Sequence, residues 1–194
     1  TFEASYDLSG PEVPIPAFER NHIVLPTNLQ ENLAFLRGWQ QLFHGDSFVY
    51  DYPLGRAHYG DFGYVHIARV ISSDIKQLHK MGLDGYISCQ ELRVVFPNAL
   101  PNYVMGYTLF DESADPQALI QEYFSAAYGE RADQVLSYLN ELSTLSSCDY
   151  LNGKGARTDP AIAERMEQIS RLCQSASLDV PKDGSPLFWE ILQY

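Results

Sequence analysis

Two short stretches carry the residues best suited to chemistry. The first holds Asp51 and Tyr52, followed by Arg56, His58, Tyr59 and Asp61 in a run with three glycines, Gly55, Gly60 and Gly63. The second holds Ser88, Cys89 and Gln90, followed by Glu91 and Arg93. Each mixes carboxylates, hydrogen-bond donors and, in the first, flat aromatic faces. Hydrolysis of a glycosidic bond needs two carboxyl groups across the scissile bond, one to give a proton and one to act as base or nucleophile. Asp51 and Glu91 supply such a pair, with Asp61 in reserve. The acid must have its pKa raised by burial or by the other's charge. Glu91, beside Cys89 and near Phe96, is the candidate acid, and Asp51 the base or nucleophile. Tyr52, His58, Tyr59, Asp61 and Gln90 are the candidate substrate contacts. Arg56 is the candidate grip for a sugar carboxylate, with Arg93 second, because a guanidinium takes a carboxylate through two parallel hydrogen bonds.

The same residues have plainer uses. An Asp at a strand end often caps the following loop, Glu91 is placed to pair with Arg93, and Arg56 to neutralise Asp51 or Asp61. His58 suits a loop hydrogen bond, and Tyr50 and Tyr52 suit packing. His22, His44, His66 and His79 lack metal spacing, and Cys89, Cys148 and Cys173 are far apart with no Cys-x-x-Cys pair, so no metal is expected. Those thiols read as reduced and mostly buried, as in a cytoplasmic protein. Ser88 has no nucleophile-elbow pattern around it. Gly60-Asp61-Phe62-Gly63 lacks the strand-and-helix context of a phosphate loop, and no cofactor is expected.

The elements that must hold these residues follow from periodicity. Phe2, Ala4 and Tyr6 alternate as a short strand, and residues 22–25 form another, stopped by Pro26. Asn28 caps a helix with Glu31 at capping-box spacing, and Leu29, Leu33, Leu36, Gln40 and Phe43 form its stripe. Residues 48–52 are a strand dense in β formers, closed by Pro53. Tyr64, Ile67, Ala68, Ile71, Ile75 and Leu78 give a second helix, ended by Gly82, and residues 85–89 are the next strand. Strand–helix–strand–helix–strand over 20–90 predicts parallel strands with crossover helices, whose sites lie at the strands' C-terminal ends. Alternation puts Val49 and Asp51 on one face and Phe48, Tyr50 and Tyr52 on the other. The large apolar set is expected to meet the helices, leaving the Asp51 face inward. On the following strand Ile87 and Cys89 are expected on the helix side, with Tyr86, Ser88 and Gln90 inward. After a helix over 98–111 the pattern is helical: Asp115-Pro116 and Asp159-Pro160 are cap-plus-proline starts, a further helix runs through Val135 and Leu142, and Leu187-Phe188-Trp189 docks as a last turn.

A chain of 194 residues with 45% hydrophobic and 20% charged residues can build a sizeable core, which excludes a disordered chain. The net charge of -12 repels phosphate backbones, so nucleic acid is not an expected partner. No apolar run reaches the roughly twenty residues that span a bilayer, and the first residues show no signal peptide, so the expected location is cytoplasmic.

Phe48-Val49-Tyr50-Asp51-Tyr52, the helix over 67–78, and Gly82-Leu83-Asp84-Gly85-Tyr86 with Cys89-Gln90 resemble a bacterial family known only as a domain of unknown function. Pro11-Glu12-Val13-Pro14, Trp39, Tyr107-Thr108-Leu109-Phe110-Asp111, Ala127-Tyr128-Gly129 and Tyr138-Leu139 extend the resemblance over about residues 10–150. Cys89-Gln90-Glu91 stands where other members carry a Gln-Gly pattern. The family is similar to glycoside hydrolases of the α-glucuronidase type. The resemblance implies a (β/α) barrel with a helical C-terminal region, and carbohydrate processing.

The expected fold is therefore α/β: the C-terminal half of a TIM-type (β/α) barrel over 1–111, then a helical region over 112–194. Three or four strands do not close a barrel, which takes about eight. The chain is thus expected to be a fragment that pairs with the missing N-terminal part of its polypeptide or self-associates. The expected function is that of a glycoside hydrolase on a poly- or oligosaccharide. The competing reading is a non-catalytic carbohydrate-binding or scaffold module.

Overall fold

Helix signals near the start of the chain act locally. The structure, a computed structural model, describes residues 8–15, 24–54, 60–89, 98–147, 150 and 158–176. Helix α1 spans Leu29–Gln40, and the Asn28 side chain accepts from Glu31 N at 3.0 Å. Glu31 reaches back one residue further than a capping box requires, accepting from Thr27 N at 2.7 Å and Thr27 Oγ1 at 2.9 Å. These bonds hold the Glu31 carboxyl below its ordinary pKa. Leu33 and Ala34 are buried, and Gln40 Nε2 donates to the Met81 carbonyl at 2.8 Å, tying the end of α1 to a distant turn.

Strand β1, Phe48–Asp51, pairs in parallel with β2, Gly85–Ser88, with Phe48 opposite Gly85 and Asp51 opposite Ser88. Helix α2, Val65–Ile75, is the crossover between them. This is the expected strand–helix–strand unit. Among the described residues the sheet has these two strands only. Val24 and Leu25 lie outside any strand; the rest of the strand expected over 22–25, the strand over 2–6 and the docking turn at 187–189 lie outside the described residues. The fold class is thus mixed α/β and mostly helical.

The facing of the strands reverses the expectation. Val49 and Tyr86 pack against the cluster of Leu54, Ile67, Ile71 and Ile75 under α2, whereas Phe48, Tyr50, Tyr52 and Ile87 are exposed. Val49 is the register partner of Tyr86, so this pair of one small and one large side chain fills the space under α2 together, and Phe48 and Tyr50 are left on the open side. Asp51, in register with Val49, therefore lies on the helix side and not on the inward face assigned to it.

Four further helices follow: α3, Leu100–Phe110; α4, Pro116–Tyr128; α5, Ala132–Leu145; and α6, Pro160–Ser175. Asp115 and Asp159 cap α4 and α6 as their sequences predict, accepting from Gln117 N and Ala161 N. Gly129 closes α4 with a positive φ of 53°, a conformation that costs glycine little. One core joins Val65 and Ala68 of α2 and Leu100 and Val104 of α3 to Phe124 of α4 and Val135, Leu139 and Leu142 of α5. The regions on either side of residue 111 thus share a single core.

The start of α2 is the most heavily bonded point in that core. Asp61 is buried, 1% exposed. Its Oδ1 accepts from Gly63 N at 3.2 Å, Tyr64 N at 3.1 Å and Ser143 Oγ at 2.5 Å, and its Oδ2 from Ile67 N at 2.8 Å. Ser143 Oγ in turn accepts from Val65 N at 3.0 Å. Replacing Asp61 by Ala strands several buried donors at once, each worth about 1–3 kcal/mol when left unmade. Asp61→Ala should lower the unfolding free energy by at least about 3 kcal/mol in urea titrations. A loss below about 1 kcal/mol would mean that water replaces the carboxylate there.

Candidate functional site

The C-terminal ends of the two parallel strands are where the sequence places a site. At the β1 end, Tyr52 N donates to Asp51 Oδ1 at 2.7 Å, and the β1–β2 pairing runs one residue past the strands through Cys89 N donating to the Asp51 carbonyl at 2.9 Å. The Asp51 carboxylate is half-buried at the rim of the sheet. On the open side, the rings of Tyr50 and Tyr52 meet edge to face with centroids 5.3 Å apart, both about half exposed. This edge-to-face contact fixes the two rings relative to one another.

Cys89 is a free thiol, and it is exposed, as is Cys173; both differ from the buried thiols expected, and Cys148 lies outside the described residues. The Cys89 side chain bonds to the Tyr50 hydroxyl, as does Tyr52, and together they hold the Tyr50 phenol well above its ordinary pKa of 10.0. The cause is that these neighbours favour the neutral phenol and oppose a phenolate beside them. The strand ends thus form a continuous patch of Tyr50, Tyr52 and Cys89, with Asp51 behind it.

Of the residues singled out in the sequence, Asp51 and Tyr52 are adjacent at this rim. Asp61 sits instead inside the fold at the start of α2, where four protein donors occupy its carboxylate. Arg56, His58, Tyr59, Gln90 and Glu91 lie outside the described residues. Sequence reasoning treated Tyr50 as packing; its exposure is what makes the rim aromatic. It also missed Ser143, which carries no local signal because its partner Asp61 is 82 residues away. Asp61 lies four residues before the first residue of α2, outside the N-cap position that Tyr64 occupies, so it carried no capping signal either.

Among the described residues no group of three His, Cys, Asp or Glu is arranged to hold a metal ion, and no helix is long and apolar enough to cross a membrane. No protein-family model, curated protein or solved structure matches this chain.

The Tyr50–Cys89 contact gives a direct readout of this patch. Cys89→Ala removes the largest influence on the Tyr50 phenol, so Tyr50 should ionise at lower pH, nearer an ordinary tyrosine. Ultraviolet titration of Cys89→Ala against the same protein carrying Tyr50→Phe isolates that one phenol. An unchanged titration would separate Cys89 from Tyr50.

Proposed function

We propose that this chain processes carbohydrate, with a sugar ring stacked on the tyrosine pair at the ends of β1 and β2, and that this strand pair belongs to a (β/α) barrel of the glycoside-hydrolase type. The observation that carries the reading is the exposure of Tyr50 and Tyr52 side by side at the C-terminal end of a parallel strand, next to the Asp51 carboxylate. The C–H face of a pyranose matches a tyrosine ring, and the phenol hydroxyl bonds to sugar hydroxyls. Parallel strands read as buried on both faces, so the open face of Phe48 and Ile87 below the tyrosine pair requires cover. Further barrel strands of the same polypeptide, or a second copy, supply it in this reading.

The chemistry follows from two carboxyls. Glu91, three residues past β2, protonates the glycosidic oxygen as the bond breaks; Asp51 activates water on the other side of the ring or attacks the sugar directly. A uronic acid substrate adds a carboxylate, for which Arg56 is the partner. One observation favours the purely binding alternative. Asp51 already accepts from Tyr52 N and stands on the helix side with Val49, which is how a carboxylate that only caps the strand end is placed.

Both readings are tested on the full polypeptide. Tyr50→Ala and Tyr52→Ala should each weaken oligosaccharide binding roughly fivefold, the worth of one aromatic contact at ~1 kcal/mol. Asp51→Asn and Glu91→Gln should each abolish hydrolysis and leave binding within about twofold if the carboxyls act on the transition state. Full hydrolysis in both carboxyl variants would sink the catalytic pair. Tyrosine-dependent binding without any hydrolysis would leave a binding module. Arg56→Ala weakening neutral and uronic ligands equally would remove the uronate role.

A further inference from the structure

A polar recess of about 350 Å³ opens where the start of α2 meets α5 and α6, on residues that belong to neither strand. His66 and Arg69 of α2, Asn140 and Thr144 of α5 and Arg165 of α6 line it, and Asp61 belongs to its buried wall. Two guanidinium groups therefore share one recess in a chain of net charge -12.

Their partners are neutral or missing. Arg69 is half-buried; its Nη1 donates to Asn140 Oδ1 at 2.9 Å and its Nη2 to Gln117 Oε1 at 3.4 Å, both amide oxygens. Arg165 makes no hydrogen bond or ion pair among the described residues, and neither arginine has a carboxylate within ion-pair distance there. Arg69 is partly desolvated, and a cation so placed without a counter-charge is costly, so proteins normally pair it. The one carboxylate in the wall does not fill that role. Asp61 directs both oxygens at the amides of Gly63, Tyr64 and Ile67 and at the Ser143 hydroxyl. It is oriented toward the positive end of the α2 dipole and away from ion pairing with the arginines.

We propose that this recess is a second ligand site that takes a small oxyanion, a phosphate or carboxylate group, between Arg69 and Arg165. The planar guanidinium forks grip two or three oxygens of one such group, while Asn140 holds Arg69 in place and Thr144 offers a hydroxyl. The volume suits a small metabolite carrying one such group, at the lower end of ligand pockets. The site is independent of the carbohydrate reading, because none of its residues lies at the strand ends.

Calorimetric titration of the intact chain with inorganic phosphate, and separately with acetate, tests it, with sodium chloride holding ionic strength constant. Saturable one-to-one binding is expected for at least one of the two. Tighter phosphate points to a phosphoryl ligand, and acetate as tight or tighter points to a carboxylate; either supports the site. Arg165→Gln should weaken binding about tenfold or more, the worth of one charged hydrogen bond. Arg165 is exposed and unpaired among the described residues, so this variant should melt with the wild type in the absence of ligand. Arg69→Gln should weaken binding by at least as much. No saturable binding of either anion, or undiminished binding in Arg165→Gln, would overturn the proposal.

Discussion

A single buried carboxylate organises this molecule. Asp61 accepts from the amides of Gly63 and Tyr64 just before α2 and of Ile67 in its first turn, and holds Ser143 of α5 against them, so the helix that covers the sheet and the helix at the centre of the bundle are fixed by one group. The same bonds tolerate local strain. Tyr64 sits at φ 62°, a left-handed conformation that costs a non-glycine residue about 1–2 kcal/mol. Gly63 is required one step earlier, because a side chain there would run into the Leu139 carbonyl and Ser143 Oγ. Gly63 thus lets the segment before α2 pass close to α5, where Ser143 meets Asp61.

The consequences run outward from there. With α2 pinned at its start, Ile67, Ile71 and Ile75 are set over the sheet, and that row decides which side of β1 is covered. Val49 and Tyr86 go under the helix; Phe48, Tyr50 and Ile87 are left open. The aromatic rim at the strand ends is therefore a by-product of how α2 fills its own layer. A secondary tie holds α2 to α3, where Thr108 Oγ1 lies 3.1 Å from Ser72 Oγ in a buried contact.

What could be read in the sequence divides along the same line. Local signals were legible. Asn28, Asp115 and Asp159 cap the helices that their positions announce, and the stripe from Ile67 to Leu78 and the two strands of the crossover stand where periodicity puts them. The facing of the strands was not legible, because alternation defines two faces of β1 without saying which one a helix will cover. That depends on the cross-strand pair, here Val49 with Tyr86, that packs under α2. The roles of Asp61 and Ser143 were hidden for a related reason. A carboxylate in a glycine-containing run beside His58 and Tyr59 has the composition of a site, and only its partner 82 residues away shows that its oxygens are occupied. Tyr50 was misjudged in the opposite direction, since an aromatic in a strand is usually core.

Topology links the two functional readings without merging them. Because β1 and β2 are parallel, α2 must run back across the sheet, and its first turn lies at the same end of the layer as the C-terminal ends of the strands. Asp61 therefore anchors that end of the layer from behind. Asp51 and the tyrosine pair stand on its sheet side, and Arg69 and Arg165 on its bundle side, where α5 and α6 close over the helix. Without these bonds at Asp61 the start of α2 would be free to shift beneath the strand ends. Because its oxygens face amides and a hydroxyl and not the guanidinium groups, the arginines keep donors for a ligand, and the rim of the sheet rests on a fixed support.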